Sequence, residues 1–262
     1  IRTETGTASN GVIGGSFNYG GAMTLTNNGL ISSQVSARTI TISSASFTND
    51  GTLEAINGAT IRALAGFTQT DGIMRVAGGG TIAALNASNV RQTITLSGGR
   101  LEGTGTIDAN VANAATIAPG LAAGALTITG DLTFASSSQF QIEIGGATQG
   151  SQYDLLTEGG VAALNLDGTL TVTLINGFVP ASQQFAVLAS NGPIGGVFLN
   201  VANGARINTA DGLGSFQLNY GPSSPFNPAN VVLSNFVAVP EPGAFALLAS
   251  AALSLLGRRR RG

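Results

Sequence analysis

The chain has 262 residues, of which 43% are hydrophobic and only 9% charged, with 38 glycines, eight prolines and no Lys, His, Cys or Trp. It is too apolar for a disordered chain and long enough for one solenoid or sandwich, or two small domains. The missing residue types exclude thiolate and imidazole metal sites, a Ser/His triad, Schiff-base lysine chemistry and a disulfide frame, so neither cofactor nor metal is expected.

Charge is unevenly placed. Four of the eleven arginines are the run Arg258, Arg259, Arg260 and Arg261, which leaves seven arginines against twelve acids in residues 1–239. That is a net of about −5, and the seven arginines are scattered singly, so no basic stripe tracks a phosphate backbone and no nucleic-acid partner is expected. At the other end residue 1 is Ile, and the first thirty residues hold no basic segment followed by an apolar one. Upstream residues, including any export leader, are therefore expected to precede this sequence.

From there the text alternates with a period of two in runs rich in Thr, Ile, Val and Leu. Strands are predicted at Thr39 to Ser43, Thr93 to Ser97, Leu126 to Phe134, Phe140 to Ile144 and Thr169 to Leu174. Ten Asn-Gly or Asp-Gly pairs, ending at Gly11, Gly29, Gly51, Gly58, Gly72, Gly168, Gly177, Gly192, Gly204 and Gly212, mark turns expected to use positive φ. No helix is expected before the tail.

The first turns are periodic. Gly29, Gly51 and Gly72 are 22 and 21 residues apart, and Gly99 follows after 27. A period near twenty predicts a solenoid, and like residues should then fall at like offsets. Two positions after each glycine stand Ile31, Leu53, Met74 and Leu101, an expected inward ladder. One position further stand Glu54, Arg75 and Glu102, expected to point outward with alternating sign at the ~4.8 Å strand spacing. Ile61 and Ile82 correspond in the same way. An exposed ladder of this kind is worth ~0–1 kcal/mol per pair, so it is read as setting register and not as a site.

From about Leu126 the units lengthen, and nine of the twelve Phe residues lie beyond residue 130, which suits a broader core closing the open end. Gly103-Thr104-Gly105-Thr106-Ile107 and Ala118-Pro119-Gly120, with the lengthened units after them, resemble the C-terminal part of autotransporter-like passenger domains. Tyr220 to Asn230, with three prolines, reads as a loop before a last strand at Val231 to Leu233.

The tail reads Val239-Pro240-Glu241-Pro242-Gly243, then apolar Ala244 to Leu256, then Gly257 and the four arginines. Thirteen to fifteen apolar residues make a helix of roughly 20–23 Å, short of the ~30 Å hydrocarbon core. Ser250 and Ser254 are its only polar side chains, so it is apolar all round and favours lipid. Snorkelling arginines extend its span and place the body on the non-cytoplasmic side. In its three parts this tail resembles the PEP-CTERM sorting segment of exported bacterial proteins. The resemblance implies Val239, Pro240, Glu241 and Pro242 as sorting motif, Arg258 to Arg261 as orientation signal, and an exosortase-type membrane protease as partner.

Other chemistry fails on spacing. Gly78-Gly79-Gly80 lacks the acid of a calcium-binding nonapeptide, and Gly103-x-Gly105 lacks the third glycine of a nucleotide loop. Asn86-Ala87-Ser88 is a chance-level sequon. Asp108, Asp131, Asp154, Glu158, Asp167 and Asp211 are dispersed and assigned to turns, and Asp154 and Glu158, four apart on a chain that reads as strand and turn, are not expected to share a helical face.

The expected protein is all-β: parallel β-helix coils over 1–125, a longer-stranded β region capping them over 126–238, and a sorting and anchoring segment with one transmembrane helix over 239–262. The expected role is a non-enzymatic, exported surface or matrix protein, anchored in the membrane before processing, with exopolysaccharide as a further partner. The alternative is a carbohydrate-active β-helix enzyme, a lyase or hydrolase, favoured if three or more acids meet in one groove. An autotransporter passenger fragment would need amphipathic barrel strands after Leu233, and none follow.

Overall fold

The computed structural model describes residues 1–3, 10–15 and 23–239. Among them every regular element is a strand, and the strands stack into three large sheets that the chain visits in turn, with a fourth of two strands, Leu164–Leu166 and Ile194–Gly196. One circuit runs Thr24–Asn27, Leu30–Ser33, Thr39–Ile42, and the next runs Ser46–Asn49, Thr52–Ile56, Thr60–Ala63. Each strand pairs in parallel with its counterpart one circuit later, as Leu30–Ser33 does with Thr52–Ile56 and that strand with Ile73–Ala77. This is the geometry of a three-sided parallel β-helix. The period near twenty thus spans three short strands, each only wide enough to cover one side of a narrow core.

The expected inward ladder is in register. Ile31 pairs with Leu53, Leu53 with Met74, Met74 with Leu101, and the column continues through Ile117 and Phe140 to Leu170. All seven are buried. Ile40, Ile61, Ile82, Ile107 and Ile128 form a second column on the third side, and the rings of Phe47 and Phe67, tilted with centroids 5.0 Å apart, pack on the first. Alternation supplies this core because strand neighbours point to opposite faces, which sends the Thr residues between the apolar ones outward.

A polar column lies inside the turn from the first side to the second. Asn27 donates from Nδ2 to Asn49 Oδ1 at 2.6 Å, and Asn49 donates to Gln69 Oε1 at 2.5 Å, with all three side chains buried. Each side-chain amide also satisfies turn backbone, as Asn49 Nδ2 does at the Gly51 carbonyl. Leu96 and then Asn113 and Phe134 continue the column. Asn113 therefore sits between two hydrocarbon side chains, and its Nδ2 has no partner.

Two sequence expectations need correcting. Leu126 to Phe134 is not one strand but two, Ala125–Ile128 and Leu132–Phe134, on different sides. Gly130 makes the corner, where a Cβ would lie 2.4 Å from the Ala109 carbonyl oxygen. Nor do all ten turn glycines use positive φ. Gly58, Gly72, Gly168, Gly177, Gly204 and Gly212 do. Gly51 is required for closeness instead, since a Cβ there would stand 2.2 Å from the Gly29 carbonyl oxygen on the circuit below.

Parallel stacking on the third side runs through Ala125–Ile128 and Leu155–Glu158 to Phe185–Ser190. Pairing then turns antiparallel: Phe185–Ser190 binds Asn230–Ala238, which binds Gly214–Asn219, which binds Arg206–Asn208. The last strand is much longer than the three residues expected. Aromatic rings fill this end, with Phe185 edge-on to Tyr153 at 5.1 Å and to Phe216 at 5.8 Å. No helix among the described residues is long and apolar enough to cross a membrane. The expected transmembrane helix and Pro240, Glu241, Pro242 and Arg258 to Arg261 lie outside the described residues.

Candidate functional site: a polar cleft and the start of the tail

On the second side the outward column beside the apolar ladder reads Ser32, Glu54, Arg75, Glu102, then Ala118, then Gln141 and Thr171. Because Ala118 is short while its neighbours below and above are long, the column opens into a cleft of about 530 Å³. Arg75, Arg100 and Glu102 line it from below, Gln141, Glu143, Thr171 and Thr173 from above, and Pro119 to Leu121 and Asp154 at the side. The two glycine motifs meet at its edge: Gly103 N–H donates to the Gly120 carbonyl at 3.0 Å, and Gly120 N–H to the Gly103 carbonyl at 2.8 Å.

The charged ladder forms as aligned, but it is less exposed than expected. Arg75 donates from Nε and Nη2 to Glu102 Oε1 at 2.8 and 2.6 Å, and its Nη1 stands 3.8 Å from Glu54 Oε2. Arg100 donates from Nε to Glu102 Oε2 at 2.8 Å and reaches past the Ala118 rung to Gln141 Oε1 at 2.6 Å. Two guanidinium groups folded over it leave Glu102 only 8% exposed. The network runs from Ser32, whose Oγ donates to Glu54 Oε1, up to Gln141.

Asp154 departs from the turn role assigned to it. It is buried, with Oδ1 accepting Gly124 N–H and Oδ2 accepting Glu143 N–H, both at 2.7 Å. Burial pushes its carboxyl up to about 7, helped by the negative charge of Glu143 and opposed by the two amides and Arg100. Glu158 is elsewhere, in register with Ile128 and buried, its oxygens accepting Gly160 N–H and Ser190 Oγ. The stretch is a strand, so the two acids share no helical face; both are buried, on either side of Leu156, and only Asp154 lines the cleft. Asp131, Asp167 and Asp211 do serve loops and turns, through the amides of Val161 and Ala162, of Gly168, and of Leu213 and Leu174. Asp108 instead pairs with Arg91 Nε at 2.8 Å.

Sequence reasoning did not single out Arg100, Gln141 or Glu143. Gln141 and Glu143 occupy the outward positions of the predicted strand Phe140 to Ile144, so alternation held their direction. Their meeting with Glu102 and Asp154 needed the circuit lengths, which shrink to 16 residues between Leu101 and Ile117 and grow to 30 between Phe140 and Leu170. Glu102, Glu143 and Asp154 thus line one cleft. Glu102 and Asp154 have both oxygens engaged, and Glu143 makes no ion pair among the described residues. Among those residues no group of three or more acids is placed to hold a metal ion.

The second feature is where the body meets the tail. The last strand, Asn230–Ala238, is followed at once by Val239, whose N–H donates to the Leu213 carbonyl at 2.9 Å. Val239 is exposed.

Residues 238–261 match the PEP-CTERM protein-sorting motif.

The PEP-CTERM segment therefore begins on the last residue of the last strand, with no spacer. It implies an exported chain, processed by an exosortase, a membrane protein, and anchored through its C-terminus until then. No curated protein and no solved structure matches the chain.

Proposed function

We propose that this protein is exported, sorted through its PEP-CTERM segment, and used at the cell surface or in the extracellular matrix as a rigid, non-enzymatic scaffold that binds exopolysaccharide. The observation that carries the reading is the sorting motif at residues 238–261 joined directly to a closed stack of β-coils. A stack in which each circuit buries its apolar side only against its neighbours is stiff and displays repeated outward Thr, Asn and Ser. The cleft adds a place for a hydroxyl-rich ligand. Its two arginines and three acids nearly cancel, and Gln141, Thr171 and Thr173 offer neutral donors and acceptors. The test is to replace Pro240, Glu241 and Pro242 by Ala and fractionate the producing cells. The variant is expected to stay full-length in the membrane while the parent reaches the surface or medium; identical fractionation of the two would contradict the proposal.

One observation favours a second reading, a carbohydrate-active enzyme: three acids meet in one groove, and the Asp154 carboxyl is held protonated further up the pH scale than an ordinary aspartate beside a carboxylate with no ion pair, Glu143. Against it, Asp154 is occupied by two backbone amides and Glu102 by two arginines. Release of reducing ends from a polysaccharide by the parent, abolished by Glu143→Gln, would establish the enzyme; no release from any polymer the scaffold retains supports the binding role.

A further inference from the structure

The end of the last strand carries an exposed apolar face at the point where the tail begins. Antiparallel pairing sets Gly214 opposite Ala238 and Ser215 opposite Val237, and the bond from Val239 to Leu213 continues the ladder by one residue. Residues opposite one another share a face, and alternate residues share it too. Phe216 and Phe236 turn inward, their rings 4.9 Å apart, with Gly214 beneath them so closely that a Cβ would lie 2.4 Å from the Phe236 ring. Leu213, Ser215, Val237 and Val239 are therefore on the outward face, where the three apolar ones are 48%, 56% and 60% exposed. Arg206 lies beside them, donating from Nε to Ser215 Oγ at 3.0 Å, and makes no ion pair among the described residues.

Four residues, 240–243, separate this face from the apolar stretch that starts at Ala244. Five extended residue steps reach at most ~17 Å. If the stretch is in lipid, the outward face is held at the membrane surface at high effective concentration. We infer that, before processing, Leu213, Val237 and Val239 dock into the boundary between lipid headgroups and acyl chains, with Arg206 at headgroup level, which fixes how the coil stack stands on the membrane. This rests on the anchored tail under Proposed function. Three side chains bind a bilayer weakly by themselves, so cutting the tail also undocks the body. The partner surface is zwitterionic, because a body of net about −5 is repelled by anionic lipid.

The chain has no cysteine, so single probes can be placed cleanly. The full chain is reconstituted in phosphatidylcholine vesicles with a nitrobenzoxadiazole label at Leu213→Cys, Val237→Cys, Thr95→Cys on an exposed position of the first side, or Leu247→Cys in the apolar stretch. Lipids spin-labelled near the headgroup are expected to quench the labels at 213 and 237 several-fold more than the label at 95. Quenching at 247 with 213 and 237 behaving like 95 overturns the docking and leaves the anchored tail standing. Absence of quenching at all four positions overturns both. Labels at 213 and 237 shielded only as protein concentration rises, without quenching by lipid, assign the face to a second copy and also overturn the docking.

Discussion

At the scale of single residues, the buried amides show how position in a column decides worth. Asn49 gives and takes bonds within the polar column and also ties down the Gly51 carbonyl. Asn49→Leu leaves Asn27 Nδ2 and Gln69 Oε1 short of a partner, and is expected to cost about 3 kcal/mol in urea unfolding. Asn113 already has an unpaired Nδ2 between Leu96 and Phe134, and Oδ1 accepts only Ala115 N–H. Asn113→Leu exchanges one bond for relief of a buried unpaired donor, so its effect should stay within about 1 kcal/mol. Equal losses for the two would show that the column does not act as a unit. Asp154 predicts a pH dependence. Its folded pKa, raised from 3.8 to about 7, means that the native state binds more protons than the unfolded chain between those values. Its contribution to stability is therefore fully present below about pH 4 and is lost as pH rises through about 7. Tm measured from pH 5 to 8 should fall for the parent relative to Asp154→Asn, and parallel curves would contradict the assignment.

At the scale of elements, the coils were legible where the sequence carries a repeated offset. Ile31, Leu53, Met74 and Leu101 align by counting from the turn glycines, and the structure pairs the same four residues. Counting failed where circuit length changed. Leu126 to Phe134 hid a corner because Thr129-Gly130-Asp131 keeps the alternation going in the text while the chain turns to another side. The glycines separate two physical demands that a composition reading merges. Gly177 has φ of +67° with nothing within 4 Å of an added Cβ, whereas a Cβ at Gly51 would meet Gly29 backbone. Gly177→Ala should cost about 1 kcal/mol, the strain of a left-handed residue. Gly51→Ala must push two circuits apart and should cost on the order of 3 kcal/mol. Thermal unfolding of the pair checks this, and the reverse order would mean that the circuits tolerate separation there.

At the scale of the whole molecule, a stack of coils ends in an antiparallel cap, and the cap's last strand runs without a spacer into the sorting segment. The tail was legible because its three parts stand in order over two dozen contiguous residues. The cleft was not, since its side chains come from circuits of unequal length and are brought together by an alanine, a residue with no chemistry of its own to notice. Sorting and cleft answer different questions: the tail implies export of the body, and the cleft is where a ligand is proposed to bind. The most direct measurement of the central claim, an exported β-solenoid body freed from a membrane-held tail, is the intact mass of the protein recovered from its producing cell. A surface or extracellular species that keeps the last strand and lacks the residues after the Pro-Glu-Pro segment is the predicted result. A species that retains all four terminal arginines and is found outside any membrane would contradict it.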